Sequence, residues 1–237
     1  EETSTKSIPE LTLSDSDAVA VGVLVVRNDV RSGAVARISD VRIDAGAVKV
    51  EALEEATIRA VNNSEATSSG GSALGQGKSI AVNGVIATNL VLSHADAEIL
   101  RSQVQSRTGD VAVNADNHAF IDARNVANVQ SGDTGVNVTL AFNTIGWEAQ
   151  NILFQTIDAL IGTDIGDEDP ARVHAHITDS NVSAAGDVSV TATNRAVLRA
   201  LVDNDTESKA AALSGASSLA VGAVLSSNMV SASTDAA

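Results

Sequence analysis

Internal repetition is the feature that most constrains how this chain can fold. One block occurs three times, and its copies share the pattern G-x-V-x-V-x-A-x-x-x-A-x-[IL]-x-A. The copies begin at Gly46, Gly109 and Gly186. Successive copies lie roughly 60 to 80 residues apart, and self-similarity at regular intervals is the signature of repeat architectures.

Two further blocks repeat together with the first one. An alternating polar and apolar block precedes each glycine, and its copies begin at Ala36, Ala97 and Ala175. A nearly continuous apolar block occurs four times, and its copies close on Asn28, Asn89, Asn143 and Asn228. The extra length of the last interval lies in residues 144–170, which we therefore interpret as an insertion into an otherwise regular array.

Alternation with a period of two dominates the first two blocks, as Val111, Val113 and Ala115 show. This pattern is typical of half-buried strands, and its recurrence with Gly, Asn, Asp or Ser at the corners favours a solenoid. We therefore predict an all-β protein, a parallel β-helix or solenoid, with residues 1–237 forming a single domain of three to four degenerate repeats. Each repeat is either three narrow coils of about 20 residues or one wide coil with three long strands, and we prefer the narrow coil.

The nearly continuous apolar block has apolar side chains on both faces, since Val19, Val21 and Val23 alternate with Ala18 and Ala20. A strand of this kind is usually covered on both sides. We therefore expect its outer face to pack against something beyond the wall of the solenoid.

The insertion contains one candidate for this cover. Trp147, Phe154 and Ile161 lie at helical spacing, so we predict an amphipathic helix over residues 147–161, ended by Gly162. Such a helix is expected either to complete the core as a lid or cap, or to dock a neighbouring subunit or chain segment.

Composition and charge narrow the set of functions. Aromatic residues make up 2% of the chain, cysteine is absent, and the net charge is −15. The scarcity of rings and the negative charge argue against nucleic acid and anionic membrane surfaces as partners. No signal peptide is visible at Glu1 and no apolar run is long enough to insert into a membrane, so we expect a soluble mature piece or a fragment of a longer protein.

An acidic stretch, residues 164–169, follows the predicted helix. Carboxylates separated by glycine can supply oxygen ligands to calcium, which makes Asp164, Asp167 and Asp169 the candidate metal ligands and calcium the one candidate cofactor. The spacing matches neither the EF-hand loop nor the nonapeptide of calcium-binding β-rolls. A solvated surface loop is the competing interpretation.

Other chemistry-bearing residues give weaker signals. His174 and His176 project from the same face of one predicted strand, close enough to share a transition metal ion. No carboxylate or third histidine lies at a supporting spacing, although Asp179 follows nearby, so we interpret the pair as exposed strand residues. No serine lies in a G-x-S-x-G nucleophile elbow, and we name no catalytic and no cofactor-binding residues.

The recurring asparagines are given a structural interpretation. At a corner of a coil, asparagine tolerates a left-handed backbone, and stacked copies can hydrogen-bond one another up the coil. The residues concerned are Asn28, Asn89, Asn117, Asn194 and Asn228.

One string carries a family resemblance. The pattern A-x-I-x-D-S-x-V-x-A-x-G-D-V-x-V-x-A, best seen from Ala175 to Ala192, resembles the repeats of very large secreted bacterial surface proteins, the haemagglutinin-like and adhesin-like β-helix family. The resemblance covers most of the chain and specifies architecture much better than activity. It implies an extracellular, elongated, right-handed parallel β-helix used as a stalk, adhesin or surface layer, and it supplies no catalytic residues.

Two functional hypotheses follow. The first is a non-catalytic structural or adhesive module of a large bacterial cell-surface or extracellular protein, whose partners are other copies, neighbouring repeats or cell-surface glycans. Because the array begins and ends in the same phase, near Ala18 and Ser218, both ends are expected to offer open edges for end-to-end association. The second is a carbohydrate-active β-helix, a lyase or hydrolase with a carboxylate-lined groove.

Overall fold

The computed structural model describes residues 17–69, 78–148, 167–209 and 218–237, and these residues form strands in four stacked layers. The first layer consists of β1 (Ala18–Ser39), β2 (Arg42–Ala45) and β3 (Val48–Ser68), and the second of β4 (Ser79–Leu100), β5 (Gln103–Ser106) and β6 (Val111–Ser131). The third consists of β7 (Thr134–Ile145), β10 (Ala171–Thr178), β11 (Asn181–Ala184) and β12 (Val188–Ser208), and the fourth of β13 (Leu219–Val230) and β14 (Ala232–Ala236). Within these ranges the chain has no helix that could cross a membrane.

Equivalent strands of successive layers pair in parallel and build three sheets. The long sheet contains β1, β4, β7 with β10, and β13 with β14. The short sheet contains β2, β5 and β11, and the facing sheet contains β3, β6 and β12. The all-β prediction and the parallel pairing are confirmed, whereas the right-handed sense of the coil stays a prediction.

The register decides between the two kinds of coil. Ala18 lies beside Ser79, and Val48 lies beside Val111, so equivalent residues of successive repeats are neighbours in one sheet. Equivalent residues of successive repeats therefore stack directly on one another, as only the wide coil requires, and the preference for narrow coils was wrong. Equivalent residues lie a whole repeat apart because the strands are long. Strand β1 alone runs for 22 residues, far beyond the usual 3–10.

The insertion interrupts one strand of the third layer. The strand stops at Ile145 and resumes at Ala171, and both halves pair with the same strand, β4. Gly146 has a φ of 77°, and a side chain there would collide with the Ser231 carbonyl, so the departure point requires glycine.

The start of the predicted helix is instead a strand. Trp147 and Glu148 form β8 (Trp147–Glu148), which pairs in antiparallel fashion with β9 (Asp167–Glu168). The helix predicted over residues 147–161 therefore does not begin at Trp147, and the rest of that range lies outside the described residues. Antiparallel pairing of the two stems of the insertion explains the difference, because it extends the backbone of Trp147.

The core lies between the long sheet and the facing sheet. Small aliphatic side chains from both sheets meet there, with Ile99, Val113 and Val173 fully buried in one cluster. Polar contacts also cross this interior. Asn117 donates from its Nδ2 atom to the Ser93 carbonyl at 3.2 Å, and Ser32 donates to the Glu54 carboxylate at 2.6 Å in the equivalent place of the first layer.

A ladder of asparagines runs through all four layers of the long sheet. Asn28, Asn89, Asn143 and Asn228 occupy equivalent positions in the register. The Nδ2 atom of each of the first three donates to the Oδ1 atom of the next, at 2.7, 2.7 and 2.8 Å. The predicted hydrogen bonding up the coil is confirmed for this slot, but these asparagines lie within strands, so their predicted corner position was wrong.

The corner between the long and short sheets is held by charged residues instead. Asp40, Arg101 and Asp179 all have a positive φ, at 57°, 45° and 49°, and follow equivalent strand ends. Arg101 donates from Nε and Nη2 to the two carboxylate oxygens of Asp40, at 2.7 and 2.6 Å. These hydrogen bonds lower the pKa of Asp40 to about 2.

The low pKa of Asp40 predicts how acid affects the fold. A carboxyl whose pKa is depressed on folding stabilises the native state above its unfolded pKa, and this contribution is lost as the pH falls from about 4 to about 2. Asn tolerates the left-handed backbone, so Asp40→Asn removes the charge and leaves the corner geometry in place. The melting temperature of the wild-type protein should exceed that of the variant at pH 7, and the difference should shrink steeply as the pH falls to about 2.

Asp179→Asn is the matched control, because Asp179 occupies the equivalent corner without accepting such an arginine pair within the described residues. Its effect on the melting temperature at pH 7 should be smaller than that of Asp40→Asn. A melting-temperature difference for Asp40→Asn that stays constant from pH 7 to pH 2 would contradict the assignment.

The ladder predicts a second effect on stability. Asn89 is buried and bonded on both sides, so Asn89→Ala leaves the Asn28 donor and the buried Asn143 acceptor without partners. We expect a loss of about 2–4 kcal/mol in the free energy of unfolding, measured by urea denaturation. Asn228→Ala at the exposed end removes one hydrogen bond and should cost less than about 1 kcal/mol; equal losses would argue against the ladder.

Candidate functional site

A group of charged and histidine side chains lies at one end of the outer face of the long sheet. We call this end of the face the polar end. It is formed by the outward residues of β4 and β10, because alternation along these strands directs every second side chain away from the core. The register places His94 beside Arg172, Asp96 beside His174, and Glu98 beside His176.

Ion pairs organise the polar end. Arg172 contacts the Asp96 carboxylate through Nη2 at 3.0 Å, and Arg37 contacts the Glu98 carboxylate through Nε at 2.7 Å. The Nδ1 atom of His174 lies 3.9 Å from the other oxygen of Asp96. Each carboxylate therefore has an arginine neighbour, which holds the side chain against the sheet and neutralises its charge.

The histidine pair lies as the alternation predicted. The rings of His174 and His176 are on one face, with centroids 5.3 Å apart. Carboxylates that are distant in the sequence lie near them, since Asp96 and Glu98 are their neighbours on β4 and Asp235 lies 3.3 Å from the Nε2 atom of His176. Aligning Ala97 with Ala175 already places Glu98 beside His176, so the sequence contained this signal.

These neighbours do not make a metal centre. Among the residues that the structure describes, no three His, Asp or Glu side chains are close enough together to hold a metal ion. Arg172 and Arg37 each engage one oxygen of these carboxylates, and the Oδ1 atom of Asp96 is buried without a hydrogen-bond partner among the described residues. The polar end can therefore bind through charge and hydrogen bonds, but it offers no preformed set of metal ligands.

Two hollows open at the polar end. The larger, of about 530 Å³, is lined by Arg31, His94, Asp169 and Arg172 among others. The smaller, of about 340 Å³, is lined by Arg37, Glu98, His174 and His176 among others. Both present arginine and histidine donors from an otherwise acidic chain, which suits carboxylate or hydroxyl groups of a ligand.

The calcium candidates fall partly outside the described residues. Asp164 is one of the residues not described, and Asp167 lies in β9 opposite Glu148. Asp169 is exposed and lines the larger hollow beside Arg31 and Arg172. Calcium binding by this stretch stays a prediction.

Comparisons with known proteins identify no family for this chain. No protein-family model matches the chain, and no curated protein or solved structure matches it significantly.

Proposed function

We propose that this chain is a non-catalytic structural module of a large bacterial cell-surface or extracellular protein, and that its layers continue those of neighbouring repeats or of further copies. The observation that carries this proposal is the polarity of the asparagine ladder. Every Nδ2 atom donates in the same direction, from the first layer towards the fourth. The ladder therefore ends in an Oδ1 acceptor on Asn28 and an Nδ2 donor on Asn228, and these two ends complement each other.

The backbone edges complement each other in the same register. The N–H group of Ala18 donates to the Lys78 carbonyl, so the odd-numbered residues of β1 direct their backbone groups towards the open edge, which has no partner strand among the described residues. The N–H group of Leu219 donates to Asp133, so the even-numbered residues of β13 do so at the opposite edge. A β1 strand stacked on β13, with Asn28 beside Asn228, would continue the parallel hydrogen-bond pattern without a shift.

The three sheets contain different numbers of stacked strands, which limits where a second copy can contact the fourth layer. The long sheet is four strands deep, whereas the short and facing sheets are three. A second copy stacked on the fourth layer would contact β13 and β14 through its own β1 and leave one strand position open in the other two sheets.

The edge contact predicts concentration-dependent, head-to-tail association. Val35 lies on β1 with its N–H group towards the open edge, so Val35→Pro removes an edge donor and leaves the bonds between β1 and β4 in place. We expect sedimentation velocity to show association of the wild-type protein and at least tenfold weaker association of the variant.

Val35→Ala is the matched control, because it shortens the side chain and keeps the N–H group. Hydrogen exchange gives a second readout, since odd-numbered amides of β1 should become protected as the protein concentration rises. A strictly monomeric chain whose β1 edge amides are already protected would overturn the end-to-end version.

The carbohydrate-active hypothesis has its best support at the polar end. Asp96 and Glu98 lie on one face of β4, roughly 6.6 Å apart along the strand, near the carboxylate separation of inverting glycosidases. Their arginine partners weigh against acid–base work. Screening acidic polysaccharides with and without calcium decides the matter, and the structural proposal expects no turnover.

A further inference from the structure

The other end of the long sheet's outer face is apolar and uncovered. We call it the apolar end, and its edge is a row of β1 side chains. Val19, Val21, Val23 and Val25 are 68%, 69%, 73% and 65% exposed. Four valines in a row with this exposure are unusual, because soluble monomers rarely leave contiguous apolar surface of this kind open.

The same surface continues through the other three layers. The register places an apolar side chain or glycine beside each valine in nearly every layer, and no charged residue lies among them. The further members are Ile80, Val82, Ile86, Val136, Val138, Leu140, Leu219, Val221, Ala223 and Leu225.

The architecture alone does not produce this surface. The facing sheet has equally long strands in the same three layers, and its outward residues include Glu51, Glu55, Arg59, Asp122 and Arg124. The outer face of the facing sheet thus mixes charged side chains with exposed apolar ones such as Leu53 and Val61, whereas the apolar end contains no charged side chain. The difference lies in the side chains and indicates that the apolar end has a partner.

Cover is present directly beside the apolar end. The outward side chains of Leu90, Leu92 and Phe142 are only 2%, 7% and 3% exposed, and β8 packs on β4 in this region. The expected cover of the apolar block is therefore found only at its end, at Phe142 and at Leu90 and Leu92 just beyond it, and not at Val19, Val21, Val23 and Val25. The apolar end stays open among the described residues.

We propose that the apolar end packs against the apolar end of a second copy of this chain, sheet on sheet. The exposed parts of these side chains add up to on the order of 800 Å² of apolar area, which equals one side of a standard protein interface. Two twisted sheets pack well when their strands are nearly aligned and their side chains interdigitate. The rows of valine, isoleucine and leucine supply such ridges on both copies.

A two-fold axis through the apolar end also matches its charged borders. Arg27 lies at one border, where it is ion-paired with Asp29 at 2.9 Å, and two aspartates and one lysine, Asp17, Asp133 and Lys78, lie at the other. A two-fold arrangement with antiparallel strands brings Arg27 of each copy towards the acidic border of its partner. This local match opposes the general repulsion between two chains of net charge −15.

This pairing is lateral and is independent of the end-to-end contact, so one variant separates the two. Val23→Asp places a charge in the middle of the apolar end and leaves the β1 edge intact. We expect it to raise the dissociation constant of the lateral dimer at least tenfold by sedimentation velocity. Added salt should strengthen the wild-type dimer, because it screens the repulsion between the two acidic chains.

Val61→Asp is the matched control. Val61 is 77% exposed on β3, in the same first layer, and points outward from the charged facing sheet. Circular dichroism should show that both variants remain folded, and Val61→Asp should dimerise like the wild-type protein. Equal weakening by both substitutions would overturn the proposal.

Cysteine labelling tests whether the surface is open in the monomer. The chain has no cysteine, so Val23→Cys and Val61→Cys each introduce a single thiol. Val23→Cys should react with a maleimide at low protein concentration and become protected as concentration rises, whereas Val61→Cys should react at both. Two results would refute lateral pairing. Protection of Val23→Cys in a monomer would show that the chain's own residues cover the surface. Complete loss of association in Val35→Pro would show that the end-to-end contact accounts for all of it.

Discussion

In-register parallel stacking is the constraint on which the rest of this structure depends. Each residue lies beside its own equivalent in the next layer, about 4.8 Å away, so a slot must accept the same kind of side chain repeatedly. Ala52, Ala115 and Ala192 share one inward slot, and Asn89 shares its slot with Asn143. This explains a chain rich in small aliphatic residues with only 2% aromatics, because a large ring in such a slot needs room in every layer.

Polar slots obey the same constraint and give the stack a direction. A column of aliphatic side chains looks alike from both ends, whereas a column of amides has a donor end and an acceptor end. The asparagine ladder therefore distinguishes the first layer from the fourth and ties the long sheet together across all four. At the corner the Asp40–Arg101 pair links the first layer to the second, through charge in place of amide pairing.

The sequence predicted the register but not the size of the coil. The alignment of Gly46 with Gly109 and of Ala36 with Ala97 is the pairing that the strands adopt. Alternation cannot reveal whether a strand turns after seven residues or continues for 21, because both keep the same period. The corner residues were missed because a left-handed backbone is normally predicted from glycine, and here it occurs at Asp40 and Arg101. The polar end was missed because cross-strand neighbours such as Asp96 and His174 become visible only when the alignment is treated as physical adjacency.

The central claim, one wide coil per repeat, is tested most directly by engineered disulfides in this cysteine-free chain. Arg59 and Asp122 are outward neighbours on β3 and β6, at a spacing that suits a disulfide. Arg59→Cys with Asp122→Cys should form an intramolecular disulfide readily under mild oxidation, and Arg59→Cys with His118→Cys, displaced by four residues, should not. Failure of the first pair, or equal cross-linking of both, would contradict the wide coil.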